Sequence, residues 1–274
     1  MVPIYLSTGT FTGRVNGRNT RLLADHWRAF EADGFELMVF EEMYAQMPDL
    51  VRLYRGIPIP IVHADKRIGD FLSGEDTLSE ARRMLLTNAQ FALDLGAKRL
   101  VIHGWGIPDS DKYPERSYER ILEMHRLCRE MGVEMLTENC CCVEGSPLAH
   151  LRRLAEMDGG IRFIVDTRPA QFHRELKETL ESDVFAARVR HMHINDYRGG
   201  YKDWQSLYPI PQPEKGDIDW NMVFTNLRSL GYRGTVTLEA PSMLAQGVDS
   251  ETLNGTLRYL RDNLAGLPGP EANT

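Results

Sequence analysis

Short apolar segments recur along the chain, and each is followed by a segment in which apolar residues return with helical spacing. Apolar runs bounded by turn-forming residues are typical of parallel strands that are buried on both faces. Their alternation with helices, repeated about eight times, predicts a closed parallel barrel. The predicted strands are PIYLST, ELMVFE, IPIVHAD, RLVIHG, EMLTEN, RFIVDT, RHMHIN and TVTLEA.

Helix signals fall between these strands. Gly96 and Gly132 each follow a helical pattern, and glycine is suited to end a helix in the left-handed conformation. Pro114 stands in the first turn of another pattern, where its missing N–H is not needed. The predicted helices cover about 20–33, 44–54, 78–95, 114–131, 147–157, 170–187, 220–230 and 251–264.

The spacing of these elements predicts one domain, a single (β/α)8 TIM barrel over residues 1–265. Units of about 30 residues match the size of such a barrel, and no linker-like stretch divides the chain. The loop 196–217 after the seventh strand is longer than most connections, which is typical of functional loops. The remaining residues, 266–274, are predicted to form a disordered C-terminal tail.

Composition narrows the choice of partners. The chain is 42% hydrophobic and 26% charged, as expected of a soluble globular protein. Its net charge of −7 and its pI near 5.7 argue against a nucleic-acid-binding surface. We find no signal-peptide pattern and no long apolar run, so no membrane partner is expected. Three of the four cysteines are consecutive, which is no disulfide framework and favours a reducing cytoplasm.

Four predicted strands end in a side chain that can bind a metal, namely Glu138, Asp166, His193 and Glu239. The C-terminal strand ends of a barrel meet at one face, so these residues are expected to converge there. Three carboxylates and an imidazole suit Mn²⁺, Mg²⁺, Co²⁺ or Zn²⁺. Any one of the four could instead cap a helix or pair with a cation, but that explanation weakens when all four occur together.

Such a site has a definite chemistry. A divalent ion acts as a Lewis acid for an enediolate, and a carboxylate on each face can remove and return a proton. Return on the opposite face gives epimerisation, transfer between adjacent carbons gives isomerisation, and loss of a neighbouring hydroxyl gives dehydration. We therefore predict a sugar or polyol isomerase or epimerase, with a dehydratase or other lyase on a keto-polyol as the alternative.

Several motifs, taken in order, resemble the xylose isomerase-like TIM-barrel superfamily, which includes sugar isomerases and 3-epimerases, inosose dehydratases and endonuclease IV-type repair enzymes. The resemblance covers about residues 1–265. It implies that Glu138, Asp166, His193 and Glu239 hold one divalent metal, with Mn²⁺ favoured, and that the two glutamates face opposite sides of a bound sugar. The motifs are LVIHGWG, LTENC, FIVDT, HMHINDYR, EKGDIDW and VTLEAP.

The chain departs from that family at two places. The family often has a histidine three residues after the strand 6 aspartate, where this chain has Pro169, and His173 lies further on. The loop after strand 7 lacks the histidine of the endonuclease metal cluster, which leaves only His63 and His103 for a nuclease. The missing strand 6 histidine gives some support to a non-catalytic sugar-binding subunit. Relatives often form dimers or tetramers, so a homo-oligomer is an open expectation.

Four further residues are candidates for substrate binding. His63 and His103 end strands 3 and 4, where they could contact substrate or pack in the core. Arg198, five residues after His193, resembles a substrate-contacting arginine of the epimerases. Trp105 follows strand 4 on a predicted top loop, where an aromatic ring could stack on a sugar or pack within the loop.

Other residues near the predicted site have supporting roles in this account. Glu41 ends the predicted second strand and could reach the sugar or simply be solvated. His191 shares a strand face with His193 and is expected to support it. Asp217 and Asp219 precede a helix and are expected to cap it, with Trp220 as a core anchor.

Overall fold

The computed structural model describes residues 1–106, 110–208 and 210–270, with the backbone alone for residue 110. Eight parallel strands form a closed barrel in chain order, with the first strand paired to the eighth. The predicted single barrel is therefore confirmed. The strands are β1 Ile4–Ser7, β2 Gly34–Met38, β3 Ile61–His63, β4 Arg99–His103, β5 Glu134–Glu138, β6 Arg162–Asp166, β7 Val189–Ile194 and β8 Thr235–Leu238.

Helices surround the barrel and connect successive strands. Short 3₁₀ turns accompany them at Thr8–Thr10, Arg14–Asn16, Trp27–Ala29, Glu41–Gln46, Ser110–Lys112 and Trp204–Leu207. Within the described ranges the α-helices are α1 Arg21–His26, α2 Met47–Leu53, α3 Arg67–Ser73, α4 Leu78–Asp94, α5 Pro114–Glu130, α6 Pro147–Met157, α7 Thr167–Phe172, α8 Leu176–Glu181, α9 Asp183–Arg188, α10 Trp220–Ser229 and α11 Ser250–Asn263.

Strand alternation decides which side chains enter the barrel. Successive residues of a strand point to opposite faces. On β5, Met135 packs outward with the core under the helices, whereas Leu136 belongs to a separate cluster inside the barrel. Glu138 lies two residues after Leu136 and therefore shares its inward face. The inner cluster consists of Tyr5, Ile61, Val101, Leu136 and Ile164.

The second strand differs from its prediction. The predicted segment ELMVFE was to end at Glu41, but β2 begins at Gly34 and ends at Met38. Glu41 instead starts a 3₁₀ turn, and its largely exposed side chain pairs with Arg67 at 2.7 Å. Glu36 is fully buried inside the barrel. Glu41 is thus exposed to solvent, which was one of its two alternatives. Glu36 is a site residue that the sequence analysis did not predict.

Three helical segments also differ from their predictions. The predicted helix 20–33 is a short α1 followed by a 3₁₀ turn, and α3 was not predicted. The helical region after β6 begins at Thr167, because the side chain of Asp166 accepts a hydrogen bond from the backbone N–H of Arg168 at 2.8 Å and caps α7. Pro169 is accommodated in the first turn of this helix, where no intrahelical N–H bond is required.

The chain end is described only in part. Leu267 is buried, and the backbone of Gly269 lies close to that of Met1, since an added Cβ would come within 2.6 Å of the Met1 oxygen. Residues 271–274 of the predicted tail lie outside the described residues. No helix of the described chain is both long and apolar enough to cross a membrane.

Candidate active site

His193 is the centre of a buried acidic cluster at the C-terminal end of the barrel. Its Nε2–H donates to Glu36 Oε1 at 2.8 Å. Its Nδ1 lies 3.3 Å from Glu138 Oε1 and 3.5 Å from Glu239 Oε2. Burial alone would lower the pKa of His193, but the charges of Glu239, Glu36 and Glu138 hold it well above its usual value. The imidazole thus turns one nitrogen to Glu36 and the other to the two glutamates.

Glu138 is surrounded by histidines. Its Oε2 lies 3.0 Å from His103 Nε2 and 3.3 Å from His63 Nε2, while Oε1 faces His193. Burial would raise the pKa of Glu138, but His103 and His193 hold it well below its usual value. Burial lowers the pKa of His103 to about 4, so this imidazole is neutral near pH 7. Both histidines that were predicted to line the pocket therefore contact a predicted catalytic carboxylate.

Asp166 and Glu239 are joined by Asn195. The Asn195 amide Nδ2 donates to both carboxylate oxygens of Asp166 at 3.1 Å and to Glu239 Oε2 at 3.2 Å. Burial raises the pKa of Asp166 to about 6, against the lowering effect of the Arg168 charge. Glu239 Oε1 is buried with no hydrogen-bond partner among the described residues. Asn195 thus draws together two carboxylates that would otherwise repel each other.

The predicted ligand set fits a metal ion. Single donor atoms of Glu138, Asp166, His193 and Glu239 all lie within 4.8 Å of one another. Donors around an ion with bonds of about 2.1 Å are about 3–4 Å apart, so little movement is needed. The unpartnered oxygen of Glu239 is costly when buried, and a cation would satisfy it. Three carboxylates with one imidazole suit a divalent ion.

A second grouping of donors shares two of these residues. Glu36, His63, His193 and Glu239 also bring donor atoms within 4.8 Å of one another. The oxygens of Glu36 are already used, because Oε1 accepts from His193 while Oε2 accepts from Thr237 Oγ1 at 2.7 Å and lies 3.0 Å from His191 Nε2. Glu36 is therefore better suited to orient His193 than to bind an ion.

Glu36 and His191 form a chain of hydrogen bonds that ends at His193 Nε2, the nitrogen that faces away from the predicted metal ligands. His191 Nδ1 lies 2.6 Å from Thr235 Oγ1, and its Nε2 contacts Glu36, which in turn holds His193 Nε2. A hydrogen bond at one ring nitrogen fixes the tautomer and leaves the other nitrogen for a metal. The supporting role predicted for His191 agrees with these contacts.

His173 does not replace the histidine that Pro169 displaces. Its Nε2 accepts a hydrogen bond from the backbone N–H of Cys142 at 2.9 Å, and it is not part of any donor group in the described chain. Burial, together with the charge of Lys202, lowers the pKa of His173 to about 4. The neighbouring cysteines Cys140–Cys142 are buried and free of disulfides.

The low pKa of His173 makes stability depend on pH. Between about pH 4 and 6.5, the unfolded chain binds a proton at this histidine that the folded chain does not, so stability falls as pH decreases through that window. The full effect is about 3 kcal/mol. We expect His173→Gln to lose less unfolding free energy than the wild type between pH 7 and pH 4, as measured by urea denaturation. Identical pH dependence in the two proteins would refute this assignment.

The two other predicted substrate contacts, Trp105 and Arg198, make contacts with neighbouring protein groups. The Trp105 ring is fully buried, donates its indole N–H to the carbonyl of Cys141 at 3.2 Å and packs 4.7 Å from the ring of His150. Arg198 is exposed and donates to the carbonyl of Lys215 in its own loop. These contacts favour the packing alternative for Trp105, and they give Arg198 a loop-stabilising role.

The long loop after β7 is tied to the barrel by Asp196. Its Oδ1 accepts from the backbone N–H of Ile218 at 3.1 Å, and its Oδ2 accepts from the backbone N–H of Gly216 at 3.0 Å and from Trp220 Nε1 at 2.9 Å. A Cβ at Gly216 would lie 2.2 Å from Asp196, so only glycine fits there. Asp219 caps α10, and Trp220 is buried as predicted.

Comparison with known proteins agrees with this fold. The model of the xylose isomerase-like TIM barrel family matches residues 25–262. Comparison with curated protein sequences gives no match.

Solved structures with the same fold cover nearly the whole chain. The 3-keto-D-glucoside 4-epimerase from E. coli is 18% identical, with a TM-score of 0.68 over 96% of this chain and 100% of its own. A D-tagatose 3-epimerase-like protein is 16% identical, with a TM-score of 0.71 over 96% and 97%. The IolI protein, solved with a zinc atom, is 14% identical, with a TM-score of 0.70 over 97% and 99%. At these identities the likeness establishes the fold.

Proposed function

The chain belongs to the xylose isomerase-like TIM barrel family, and from the geometry of its site we propose that it is a metal-dependent sugar or polyol isomerase or epimerase. The observation that carries the proposal is the convergence of donor atoms from Glu138, Asp166, His193 and Glu239 within 4.8 Å at the C-terminal face of the barrel. In barrel enzymes this face carries the active site.

One divalent ion would be held by these four side chains, with Mn²⁺ favoured and Mg²⁺, Co²⁺ or Zn²⁺ as alternatives. When bound, it would supply Lewis-acid stabilisation for negative charge that develops on substrate oxygens. The orphaned oxygen of Glu239 supports a cation at this position. The zinc atom of the IolI structure is in keeping with a divalent ion in this fold.

The two glutamates would exchange the proton of the substrate carbon next to its carbonyl group. Glu138 is held by His63, His103 and His193, which fix the direction of its carboxylate. Glu239 directly follows β8, approaches His193 from that strand's end and keeps one oxygen without a partner among the described residues. A carboxylate on each side allows removal of a proton by one glutamate and its return by the other.

A proton-exchange experiment tests the reaction class without knowledge of the natural substrate. The metal-loaded protein would be incubated in D₂O with D-fructose, D-tagatose or D-psicose, and the sugars would be followed by NMR and mass spectrometry. We expect deuterium at a carbon next to the carbonyl in at least one sugar, and none after chelation of the metal. Exchange in none of them would count against the proposal.

The same experiment separates the alternatives. A product lighter by one water would indicate a dehydratase of the keto-polyol type. Sugar binding detected by calorimetry, with no exchange in the presence of metal, would indicate a non-catalytic sugar-binding subunit. Small-molecule sugars are the proposed partners, and the proposed location is the cytoplasm, because three consecutive cysteines form no disulfide framework.

A further inference from the structure

A further group of three buried side chains that can bind a metal shares no residue with the four-ligand site. It consists of Asp111, Cys142 and His150, and one donor atom of each lies within 4.8 Å of the other two. Asp111 belongs to the 3₁₀ turn before α5, Cys142 follows β5, and His150 lies on α6. Their exposed fractions are 3%, 0% and 5%. Three segments of the chain thus bring donor atoms to one buried point.

The contact between His150 and Asp111 has the length expected of two ligands of one ion. His150 Nε2 lies 3.3 Å from Asp111 Oδ2, whereas the buried contact of His193 with Glu36 is a hydrogen bond of 2.8 Å. Hydrogen bonds from nitrogen to oxygen are usually about 2.7–3.2 Å long. Nitrogen and oxygen ligands with bonds of about 2.0–2.1 Å in a tetrahedron are about 3.3 Å apart. The spacing therefore matches a tetrahedral ion better than it matches a strong hydrogen bond.

Both groups have the protonation state that a metal ligand needs. Burial lowers the pKa of His150, so its imidazole is neutral near pH 7. Burial would raise the pKa of Asp111, but the backbone N–H groups of residues 143–145 hold it below its usual value. The N–H of Glu144 is shared between both oxygens, at 3.1 and 3.3 Å, while Oδ2 accepts from Gly145 at 2.7 Å. An oxygen with two lone pairs can therefore still bind an ion.

Tyr118 is placed to orient the imidazole for this role. Its hydroxyl is hydrogen-bonded to His150 Nδ1. When the hydroxyl accepts the Nδ1–H of the neutral ring, the lone pair lies on Nε2, the nitrogen beside Asp111. A lone pair and a carboxylate that face each other repel, so this tautomer favours a cation between the two atoms.

Cys142 gives the group its metal preference. Its thiol donates to the carbonyl of Cys140 at 3.3 Å, which is a weak bond for a thiol. A thiolate, an imidazole and a carboxylate suit Zn²⁺, whereas Mg²⁺ and Mn²⁺ prefer oxygen ligands. The two negative ligands would also neutralise a divalent ion, which lowers the cost of burying its charge.

We propose that Asp111, Cys142 and His150 bind one Zn²⁺ that is separate from the ion of the four-ligand site. A water molecule completes the tetrahedron, as in zinc sites with three protein ligands. The ion joins the turn before α5 and the segment after β5 to α6, so it stabilises the loops that follow β4 and β5. Failure of this proposal would leave proton exchange at the four-ligand site untouched.

The thiol limits the affinity of this site. Burial raises the pKa of Cys142, and the thiol must lose its proton when zinc binds, which weakens binding. The site is therefore expected to fill when zinc is supplied and not to add to the metal content of the protein as purified.

Cobalt substitution tests the proposal, because a thiolate bound to Co²⁺ gives an intense charge-transfer absorption in the near ultraviolet that oxygen and nitrogen ligands do not give. The wild type would be titrated anaerobically with Co²⁺ and then with Zn²⁺. We expect the absorption to appear with Co²⁺ and to be lost when Zn²⁺ displaces it. His193→Ala should retain the absorption, since the four-ligand site contains no sulfur. No absorption at saturating Co²⁺ would overturn the proposal.

Three variants assign the absorption to this group. Cys142→Ser should abolish it, whereas Cys128→Ser, with a buried thiol on α5 outside every donor group of the described chain, should retain it. His150→Gln keeps the thiol but loses the imidazole ligand, so its affinity for Co²⁺ should fall about tenfold or more. This variant decides the matter if Cys142→Ser does not fold. Absorption of wild-type intensity in Cys142→Ser, or unchanged affinity in His150→Gln, would overturn the proposal.

Discussion

Replacement of Glu239 or Glu138 by glutamine is expected to lower the rate of proton exchange by about a thousandfold, within the range of about 10² to 10⁴ for loss of a general acid or base. Glutamine keeps the size of the side chain and one oxygen for a metal, but its amide cannot take up a proton near neutral pH. Glu138 Oε1 and Oε2 both face histidines, so an amide there also disturbs their hydrogen bonds.

Two controls make this result specific. The metal content of each glutamine variant should be measured, so that loss of turnover with metal retained can be assigned to proton transfer. Glu80→Gln, in which a surface glutamate paired with Arg83 is changed, should exchange at the wild-type rate. Glu239→Gln with metal bound and with exchange within twofold of wild type would contradict the role given to that carboxylate.

Replacement of Asp196 by alanine is expected to destabilise the protein by about 3–5 kcal/mol, because several buried donors lose a charged acceptor at once. These donors are the backbone N–H groups of Gly216 and Ile218 and the indole N–H of Trp220. Without these hydrogen bonds, the loop after β7 is also no longer held to Trp220 at the start of α10. Urea denaturation followed by tryptophan fluorescence would measure the change.

Asp217 supplies the control for this prediction. It lies in the same loop, but it is exposed. Asp217→Ala should therefore stay within about 0.5 kcal/mol of the wild type, as surface substitutions usually do. An equal loss of stability in the two alanine variants would show that the contacts of Asp196 do not account for the ordering of the loop.

The ends of strands β5, β6, β7 and β8 could be located from sequence because each apolar run stops at a polar residue. Glu138, Asp166, His193 and Glu239 were therefore found together, and the structure brings their donor atoms together. Parallel strands have a fixed face for their C-terminal ends, so the convergence follows once the barrel is recognised.

Glu36 escaped prediction for a physical reason. It lies in the middle of β2, which begins at Gly34. Because the run GFELMVF is apolar on both sides of Glu36, the sequence also permits a strand that begins at Glu36 and ends at Glu41. Its partners His191 and His193 are about 155 residues away in sequence. A buried carboxylate that pairs across the barrel leaves no local pattern, and only the register of β2 reveals it.

Arg198 and Arg168 show that the orientation of side chains in and beside loops also could not be predicted from the sequence. Arg198 was selected because of its distance from His193 along the chain, yet it is exposed and hydrogen-bonded to Lys215. Arg168 had no motif to mark it, yet it is buried, and its Nη1 donates to the carbonyl of Leu207. Which loop side chains turn inward depends on how α7 and the loop after β7 pack, and this is a tertiary property.

The most direct test of the account is the metal content per chain, measured by elemental mass spectrometry on protein purified without chelator, for the wild type and His193→Ala. His26→Ala, on α1 outside every donor group of the described chain, is the control. We predict about one equivalent of Mn, Mg, Co or Zn in the wild type and in the control, and its loss in His193→Ala. Absence of metal from the wild type even after reconstitution, or an unchanged content in His193→Ala, would contradict the four-ligand site.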